Sequence, residues 1–123
     1  MADQINPTHY KKAPPGIEHE CIDYTRHMSF NTGNAAKYAY RAGAKGHAEV
    51  DLFKCRWYLN DALEGEDDDT TLPSLFGSVD PDATKRSRLF HYIVTGETVA
   101  ALNYLDTLLL FPFRLDDPLE NPS

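Results

Sequence analysis

Four cationic side chains fall within one short stretch of the sequence, at spacings that would bring them together on two neighbouring helices. They are Lys37, Arg41, Lys45 and Lys54. An arginine can hold a phosphate group through two parallel hydrogen bonds, whereas a lysine acts as a compact positive charge. Cations that converge in this way suit a phosphate-bearing ligand, and they are the first candidates for chemistry in this chain.

Polar and aromatic residues accompany these cations. Asn34, Lys37, Tyr38 and Arg41 recur at i, i+3, i+4 and i+7, which is one side of a helix. Asn34 offers the donor and acceptor pair that the edge of a base requires. Tyr38, together with Tyr58 on the next helix, could stack on a base or bond a sugar hydroxyl.

Asp51 precedes Lys54 by three residues on the second of these helices. Its carboxylate could orient a lysine, accept a proton or hold a metal ion. The same pair is typical of a solvated helix face, where it would add only about 0.2–0.5 kcal/mol of stability. Spacing alone therefore leaves a structural and a functional interpretation of this polar face both open.

The sequence lacks the common phosphate-binding and catalytic motifs. It contains neither GxxxxGK[ST] nor GxGxxG, and no strand is predicted that either loop could follow. HExxH and GxSxG are missing as well, and no cysteine–histidine spacing is typical of a zinc site. Any phosphate chemistry must therefore rest on side chains that project from helices, and we predict no metal site.

The apolar pattern predicts about five helices in an all-α fold of two antiparallel helical hairpins. A short first helix would cover about residues 20–28. The second would be capped by Asn31 or Thr32 and would end at Gly43 in a left-handed conformation. The third, about residues 47–63, follows a short turn that makes the two helices neighbours, so the first hairpin is predicted at 34–63.

Two stripes predict the buried faces of this hairpin. Ala35, Ala39 and Ala42 form a smooth stripe on the second helix that would let a neighbouring helix approach closely. The predicted seam of the third helix consists of Ala48, Leu52, Cys55, Leu59 and Ala62. We also expect the aromatic group Phe53, Trp57 and Tyr58 to lie mostly in the core, with one polar edge.

Prolines, glycines and an acidic run divide the rest of the chain. We predict that residues 1–18 form an extended arm before a single helical domain at 19–110. Within the domain, a solvated acidic linker at 64–81 separates the first hairpin from a second hairpin at 82–110. In the linker, the apolar side chains of Leu72, Leu75 and Phe76 could dock on the core. We expect residues 111–123 to form an irregular tail.

Composition narrows the class of protein. The net charge of −7 argues against a protein that coats bulk nucleic acid, whereas the basic stretch at 34–58 suits a small anionic ligand. No apolar run approaches the roughly 18 residues that span a bilayer, and the first residues lack the apolar core of a secretion signal. We therefore expect a cytoplasmic protein with no membrane partner. Its small core predicts a homo-oligomer.

The sequence also resembles a small phage-encoded family that includes the nucleotide kinase of the T-odd coliphages. The blocks NPTHYKK, ECIDYTRHM, GNAAKYAYRAGAKG and VDLFKCRWYL carry the resemblance, over roughly residues 6–63. Cys55 stands where the family commonly has alanine. The matching positions are His9, Tyr10, Ile22, Asp23, Gly33, Asn34, Lys37, Tyr38, Arg41, Gly43, Lys45, Asp51, Leu52, Lys54, Trp57, Tyr58 and Leu59.

The resemblance implies a phage nucleotide-binding protein that acts in the cytoplasm of an infected bacterium. Its expected activity is phosphoryl transfer to a (deoxy)nucleoside monophosphate, with a nucleoside triphosphate as donor and without a Walker loop. Lys54, Asp51 and Arg41 would be the catalytic groups, and His9 and Tyr10 would join the nucleotide-binding residues, with His9 as an alternative acid or base.

Two other functions stay open at this point. The protein could bind and sequester a nucleotide, such as a host signalling nucleotide, without turnover. Alternatively, it could be a host-directed interaction protein in which the hairpin is merely structural. The sequence leaves open the base preference, the phosphate donor and the need for magnesium.

Overall fold

The computed structural model describes residues 13–44, 46–65 and 70–119 of the 123-residue chain. In these ranges the α-helices are α1 (Cys21–Thr25), α2 (Phe30–Arg41), α3 (Ala48–Glu64), α4 (Lys85–Val94) and α5 (Thr98–Leu108). Short 3₁₀ helices lie at Pro73–Ser78 and Pro112–Arg114. The prediction of an all-α fold is confirmed. Within the described ranges, no helix has both the length and the apolar character needed to cross a membrane.

Helix α2 begins earlier than the sequence pattern predicts. Ser29 is its N-cap, because the Ser29 hydroxyl accepts a hydrogen bond from the backbone N–H of Thr32 at 3.3 Å. The expectation that Asn31 or Thr32 caps the helix was wrong, since Thr32 supplies the capped donor and the helix already starts at Phe30. At the other end Gly43 has a φ of +85°, so the predicted left-handed glycine is confirmed.

Helices α2 and α3 pack along their lengths in opposite directions. Near the start of α2, the Asn31 side-chain amide donates to the Asp61 carboxylate at 2.8 Å. At the turn between the helices, the Gly43 N–H donates to the Asp51 carboxylate at 3.3 Å. The stripe and the seam predicted from the sequence are buried, with the exception of the partly buried Ala48; the buried members are Ala35, Ala39, Ala42, Leu52, Cys55, Leu59 and Ala62.

The remaining helices complete the core around this pair. Helix α1 and helix α4 both pack on α2, while α5 packs on α3 and on α4. Residues 95–97 join α4 to α5. Phe90, Leu89 and Ile93 of α4 and Leu105 of α5 are fully buried or nearly so, and they belong to the same apolar cluster as the seam of α3.

The segment predicted as a linker contributes to the core in its second half. Val79 is buried and forms an isolated antiparallel bridge with Ile17, which is buried as well. Ile17 lies in the predicted arm, so the end of that segment belongs to the domain. Leu75 packs against the core as expected, whereas Leu72 is exposed. Residues 1–12 of the arm and residues 66–69 of the linker lie outside the described residues.

Tyr24 holds helix α1 against the rest of the domain. Its buried hydroxyl lies 2.7 Å from the Ser78 hydroxyl and accepts the backbone N–H of His19 at 3.3 Å. Its backbone carbonyl accepts the Thr71 hydroxyl at 2.6 Å, and its ring meets Phe90 edge to face at 5.0 Å. Burial raises the pKa of the Tyr24 phenol, so the group keeps its proton to a higher pH than an exposed tyrosine does.

Arg86 joins α4 and the C-terminal tail to the end of α2. Its guanidinium donates to the backbone carbonyls of Ala39, Tyr40 and Ala42 at 3.0, 3.2 and 2.8 Å. It also forms a two-point ion pair with Asp116, with N–O distances of 2.9 and 3.1 Å. Because the last carbonyls of a helix have no partner within it, Arg86 satisfies groups that would otherwise be unpaired. The predicted tail is thus anchored to the core through Asp116.

Candidate functional site

Three of the predicted cations surround one aromatic ring. The Lys37 Nζ and the Arg41 Cζ each lie 5.1 Å from the centroid of the Tyr38 ring, and the Lys54 Nζ lies 5.4 Å from it. At these distances the ring face attracts each cation by about 0.5–1 kcal/mol at an exposed site. Lys54 comes from α3, so this cation cluster of Lys37, Arg41 and Lys54 requires the packing of α2 on α3.

The cation cluster has no acidic partner in the parts of the chain that the structure describes. The ion pairs formed there engage Arg26, Arg56, Arg86 and Arg88. Lys37, Arg41 and Lys54 are exposed to solvent. Three like charges gathered at one ring repel one another, so a bound anion would relieve the repulsion and be attracted by all three.

Tyr38 and Tyr58 stack on each other across the α2–α3 contact. Their ring centroids are 5.9 Å apart with an angle of 11° between the planes, and both side chains are half-buried. Each ring therefore has one face already in contact with the other ring. This arrangement gives the tyrosines an inner, supporting position, and their expected role in stacking on a base stays a prediction.

More exposed aromatic rings lie next to this pair. Phe30 and Trp57 meet the edge or face of Tyr58 at centroid distances of 6.0 and 5.1 Å, with interplanar angles of 76° and 85°. Phe30, Trp57 and Phe53 are 75%, 62% and 53% exposed. The expectation that Phe53 and Trp57 lie in the core was therefore wrong. We refer to Phe30, Phe53 and Trp57 as the aromatic surface.

The signal for this surface was present in the sequence. Val50, Phe53 and Trp57 recur at i, i+3 and i+7 on α3, which makes a second apolar stripe besides the buried seam. A helix with apolar residues on two sides can turn only one of them to a core of this size. The packing of α2 and α5 selected the side with Leu52 and Leu59, and it left the aromatic side in solvent.

Asp51 and Asn34 have structural partners close by. The Asp51 carboxylate accepts the Gly43 N–H and so helps to close the turn between α2 and α3. The Asn34 amide donates to the carbonyl of Phe30, one turn earlier, at 2.9 Å. In the described residues the Asn34 side-chain oxygen accepts no hydrogen bond, so it is the atom of that side chain left for a ligand. The acid or base role of Asp51 stays a prediction.

Two concave regions adjoin the cation cluster. A groove of about 940 Å³ lies between α1, the C-terminal end of α2 and the tail, and Lys37, Arg41, Tyr40 and Cys21 are among its lining residues. A smaller pocket of about 440 Å³ lies along the start of α2 and is lined by Lys37 and Asn34 among others. Lys37 thus borders both regions.

The pKa of the Cys21 thiol is affected by the positive charges near the groove. Burial raises the pKa of its thiol to about 11, although the positive charges of Lys37 and Arg41 act in the opposite direction. Both cations are therefore close enough to the groove for their field to reach a group inside it. Cys21 and Cys55 are free thiols, and burial also raises the pKa of Cys55, which fits the predicted buried cysteine.

Three of the predicted site residues lie outside the part of the chain that the structure describes. They are His9, Tyr10 and Lys45, and their assigned roles stay predictions. Within the described residues, no three His, Cys, Asp or Glu side chains are grouped closely enough to hold a metal ion. The residues that the structure brings together are Asn34, Lys37, Tyr38, Arg41, Lys54 and Tyr58, with Asp51 at the adjoining turn.

The fold and this surface define a small all-α protein with a cationic and aromatic face on its α2–α3 pair. A family model described as a protein of unknown function, DUF3310, matches residues 5–60. The match covers somewhat less than half of the chain and includes α1, α2 and most of α3, and therefore the cation cluster and the aromatic surface. No curated protein and no solved structure gives a significant match.

Proposed function

We propose that the α2–α3 face binds a nucleotide and that the protein is a kinase-like phosphotransferase acting on (deoxy)nucleoside monophosphates. The observation that carries the proposal is the gathering of Lys37, Arg41 and Lys54 at one ring, without an acidic partner in the described residues. Arg41 would hold a phosphate through two hydrogen bonds, and the lysines would neutralise further charge. Asn34 would contact the base or the sugar.

The resemblance to the phage nucleotide kinase family supports the same proposal. The positions that carry the resemblance include all three members of the cation cluster and both stacked tyrosines. It also supports a setting in the cytoplasm of an infected bacterium. His9, Tyr10 and Lys45 would complete the nucleotide site from segments outside the described residues.

Phosphoryl transfer depends mainly on positioning the two reactants and stabilising the charge on the transferred group. Rigid helices are suitable supports for such a site, because their side chains start from fixed backbone positions. Lys54 and Arg41 come from different helices and could hold donor and acceptor phosphates side by side. Asp51, one turn before Lys54, is the proposed proton acceptor, with His9 as the alternative.

The first test removes the bidentate phosphate ligand. Arg41→Ala is expected to weaken nucleotide binding by about 1.5–3 kcal/mol, the usual contribution of a hydrogen bond to a charged group, with unchanged helix content. Affinity is measured by calorimetry and helix content by circular dichroism. Arg56→Ala is the matched control, because Arg56 lies on α3 but pairs with Asp106 outside the cluster. Equal affinity of parent and Arg41→Ala for every nucleotide tested would exclude this site.

The second test separates an enzyme from a binding protein. A kinase holds a triphosphate and a monophosphate together, so the monophosphate should still bind to protein already saturated with triphosphate. Lys54→Ala should lower turnover more than monophosphate affinity, while Lys85→Ala on α4 should change neither. The titration is run with and without magnesium, and diphosphate formation is followed with a labelled donor.

Strict competition between the two nucleotides, with no diphosphate formed, would favour the second candidate function. That candidate is a protein that sequesters one nucleotide without turnover. The groove of about 940 Å³ beside Lys37 and Arg41 favours it, since this volume lies in the range of sites that enclose a single small ligand. If no nucleotide binds, the remaining candidate is a host-directed interaction protein in which the hairpin is merely structural.

Self-association is part of the proposal as well. The alanine stripe of α2 does not supply the contact surface, because Ala35, Ala39 and Ala42 are buried within the chain. Exposed apolar side chains elsewhere, such as Val99 and Leu110, are better placed for it. The mass in solution, measured by light scattering at micromolar concentration, decides between monomer and oligomer.

A further inference from the structure

The aromatic surface begins where the cation cluster ends. Tyr58 stacks on Tyr38, the ring that the three cations surround, and it also contacts both Phe30 and Trp57. Phe53 lies one helical turn before Trp57 on α3. Cations and exposed rings therefore form one continuous face built from α2 and α3.

This combination matches the way proteins bind single-stranded nucleic acid. In such sites cations follow the phosphates, and successive bases stack on aromatic side chains, largely independently of sequence. Phe30 and Trp57 each contact Tyr58, and among the described rings no contact joins them directly. They are therefore separate stacking surfaces, and each can accept its own base.

We infer that this face binds a short single-stranded oligonucleotide, with one base on Phe30, a neighbouring base on Trp57 and the phosphates of the strand on the cation cluster. The inference rests on the proposed function, because the same cations hold the phosphates. It extends that function by changing the ligand from a free nucleotide to a nucleotide within a strand. It also gives a reason for exposing large aromatic rings at this place on an otherwise acidic protein.

A second copy of the chain fits the same face less well. Two copies related by a two-fold axis present the same patch to each other. The two cation clusters would then belong to patches that face each other, and their like charges would repel. A polyanion has the complementary charge, and its bases supply flat apolar surfaces for the rings.

The test uses a natural reporter, because Trp57 is the single tryptophan of the chain. A mononucleotide, a dinucleotide and a trinucleotide are titrated into the intact protein while tryptophan fluorescence is followed. Stacking of a base on Trp57 should quench its emission, and affinity should rise from the mononucleotide to the trinucleotide. Tripolyphosphate, which has charge but no base, should bind without quenching.

Variants of the exposed rings show whether they hold the bases. Trp57→Leu and Phe30→Leu should each weaken trinucleotide binding by about tenfold or more, measured by anisotropy of a labelled strand. Leu72→Ala is the control, because Leu72 is an exposed apolar residue distant in sequence from the face. A 5′-phosphorylated trinucleotide carries three phosphates, so if all three are held the logarithm of the binding constant should fall with the logarithm of salt concentration with a slope of about −2. Lys54→Gln should make that slope shallower.

Three outcomes would overturn the inference, and they are distinguishable. If the trinucleotide binds no more tightly than the mononucleotide, the strand is not the ligand although the proposed nucleotide site stands. If neither binds, the proposed function fails as well. If Trp57 emission is already that of a buried ring and shifts on dilution together with the mass, the face is occupied by a second copy of the chain.

Discussion

At the scale of single residues, Gly33 in α2 and Gly43 in the following turn differ in whether a side chain can replace the glycine. Gly33 lies inside α2, where an added Cβ would meet the Thr25 carbonyl oxygen at 3.6 Å and the Met28 Cβ at 3.7 Å, both ordinary contacts. Gly43 has a φ of +85°, and an added Cβ would lie only 3.3 Å from that of Ala48. The first position tolerates a side chain, whereas the second does not.

We predict that Gly33→Ala raises the free energy of unfolding by about 0.5–1 kcal/mol, because alanine loses less backbone entropy in a helix. Gly43→Ala should lower it by about 1–2 kcal/mol through the left-handed backbone and the close contact. Urea denaturation measures both changes. Gly46→Ala separates the two causes, since Gly46 has a φ of +86° and no atom within 4 Å of its added Cβ. A destabilising Gly33→Ala would contradict this account.

At the scale of elements, the end of α2 depends on a side chain from α4. Arg86 is 7% exposed, donates to three carbonyls at the end of α2 and pairs with Asp116 of the tail. It therefore links three elements that are far apart in the sequence. Arg41 lies in the same last turn of α2, so the position of the cation cluster also depends on Arg86.

We predict that Arg86→Ala lowers the free energy of unfolding by about 1–3 kcal/mol or more, because it leaves buried carbonyls without donors and breaks the ion pair with Asp116, whose side chain is half-exposed. Arg86→Lys should recover only part of this loss, since lysine cannot make the forked set of bonds. Arg88→Ala is the control, with an expected cost of about 0–1 kcal/mol, because its partner Asp82 is 76% exposed. Similar urea midpoints for Arg86→Ala and Arg88→Ala would show that Arg86 is not an anchor.

At the scale of the whole molecule, several buried or half-buried thiols and phenols keep their protons to high pH. Burial raises the pKa of the thiols of Cys21 and Cys55 and of the phenols of Tyr24, Tyr40 and Tyr104. In an unfolded chain these groups lose their protons near pH 8.5 for cysteine and near pH 10 for tyrosine. Between those values and the higher folded pKa, the folded state holds more protons than the unfolded state.

Below about pH 8.5 these groups are protonated in both states and do not change the free energy of unfolding. Above that pH the unfolded state loses protons first, so the free energy of unfolding decreases as the pH rises. We predict a falling urea midpoint from about pH 8.5 upwards, followed by circular dichroism at a series of pH values. Cys55→Ala should make the decline shallower between pH 9 and 10, because it removes the most deeply buried thiol. A midpoint that stays constant across this range would contradict the assignment of these groups as buried and protonated.

The sequence by itself determined the features that depend on local spacing. The helices, the alanine stripe of α2, the seam of α3 and the left-handed Gly43 were all predicted, because helical periodicity and backbone preference act over a few residues. The shared face of Asn34, Lys37, Tyr38 and Arg41 follows from the same periodicity. The N-cap was misplaced because Ser29, Asn31 and Thr32 are all residue types that can serve as a cap, and spacing does not choose among them.

Only the tertiary structure decided which distant groups meet. It placed Lys54 of α3 at the ring of Tyr38 of α2, and it brought Arg86 to the end of α2, a helix that lies more than forty residues away in the chain. It also left Trp57 in solvent rather than in the core. Each of these results depends on which side of a helix packs against its neighbours, and the choice between two apolar stripes on α3 is made by the whole core, not by the sequence of one helix.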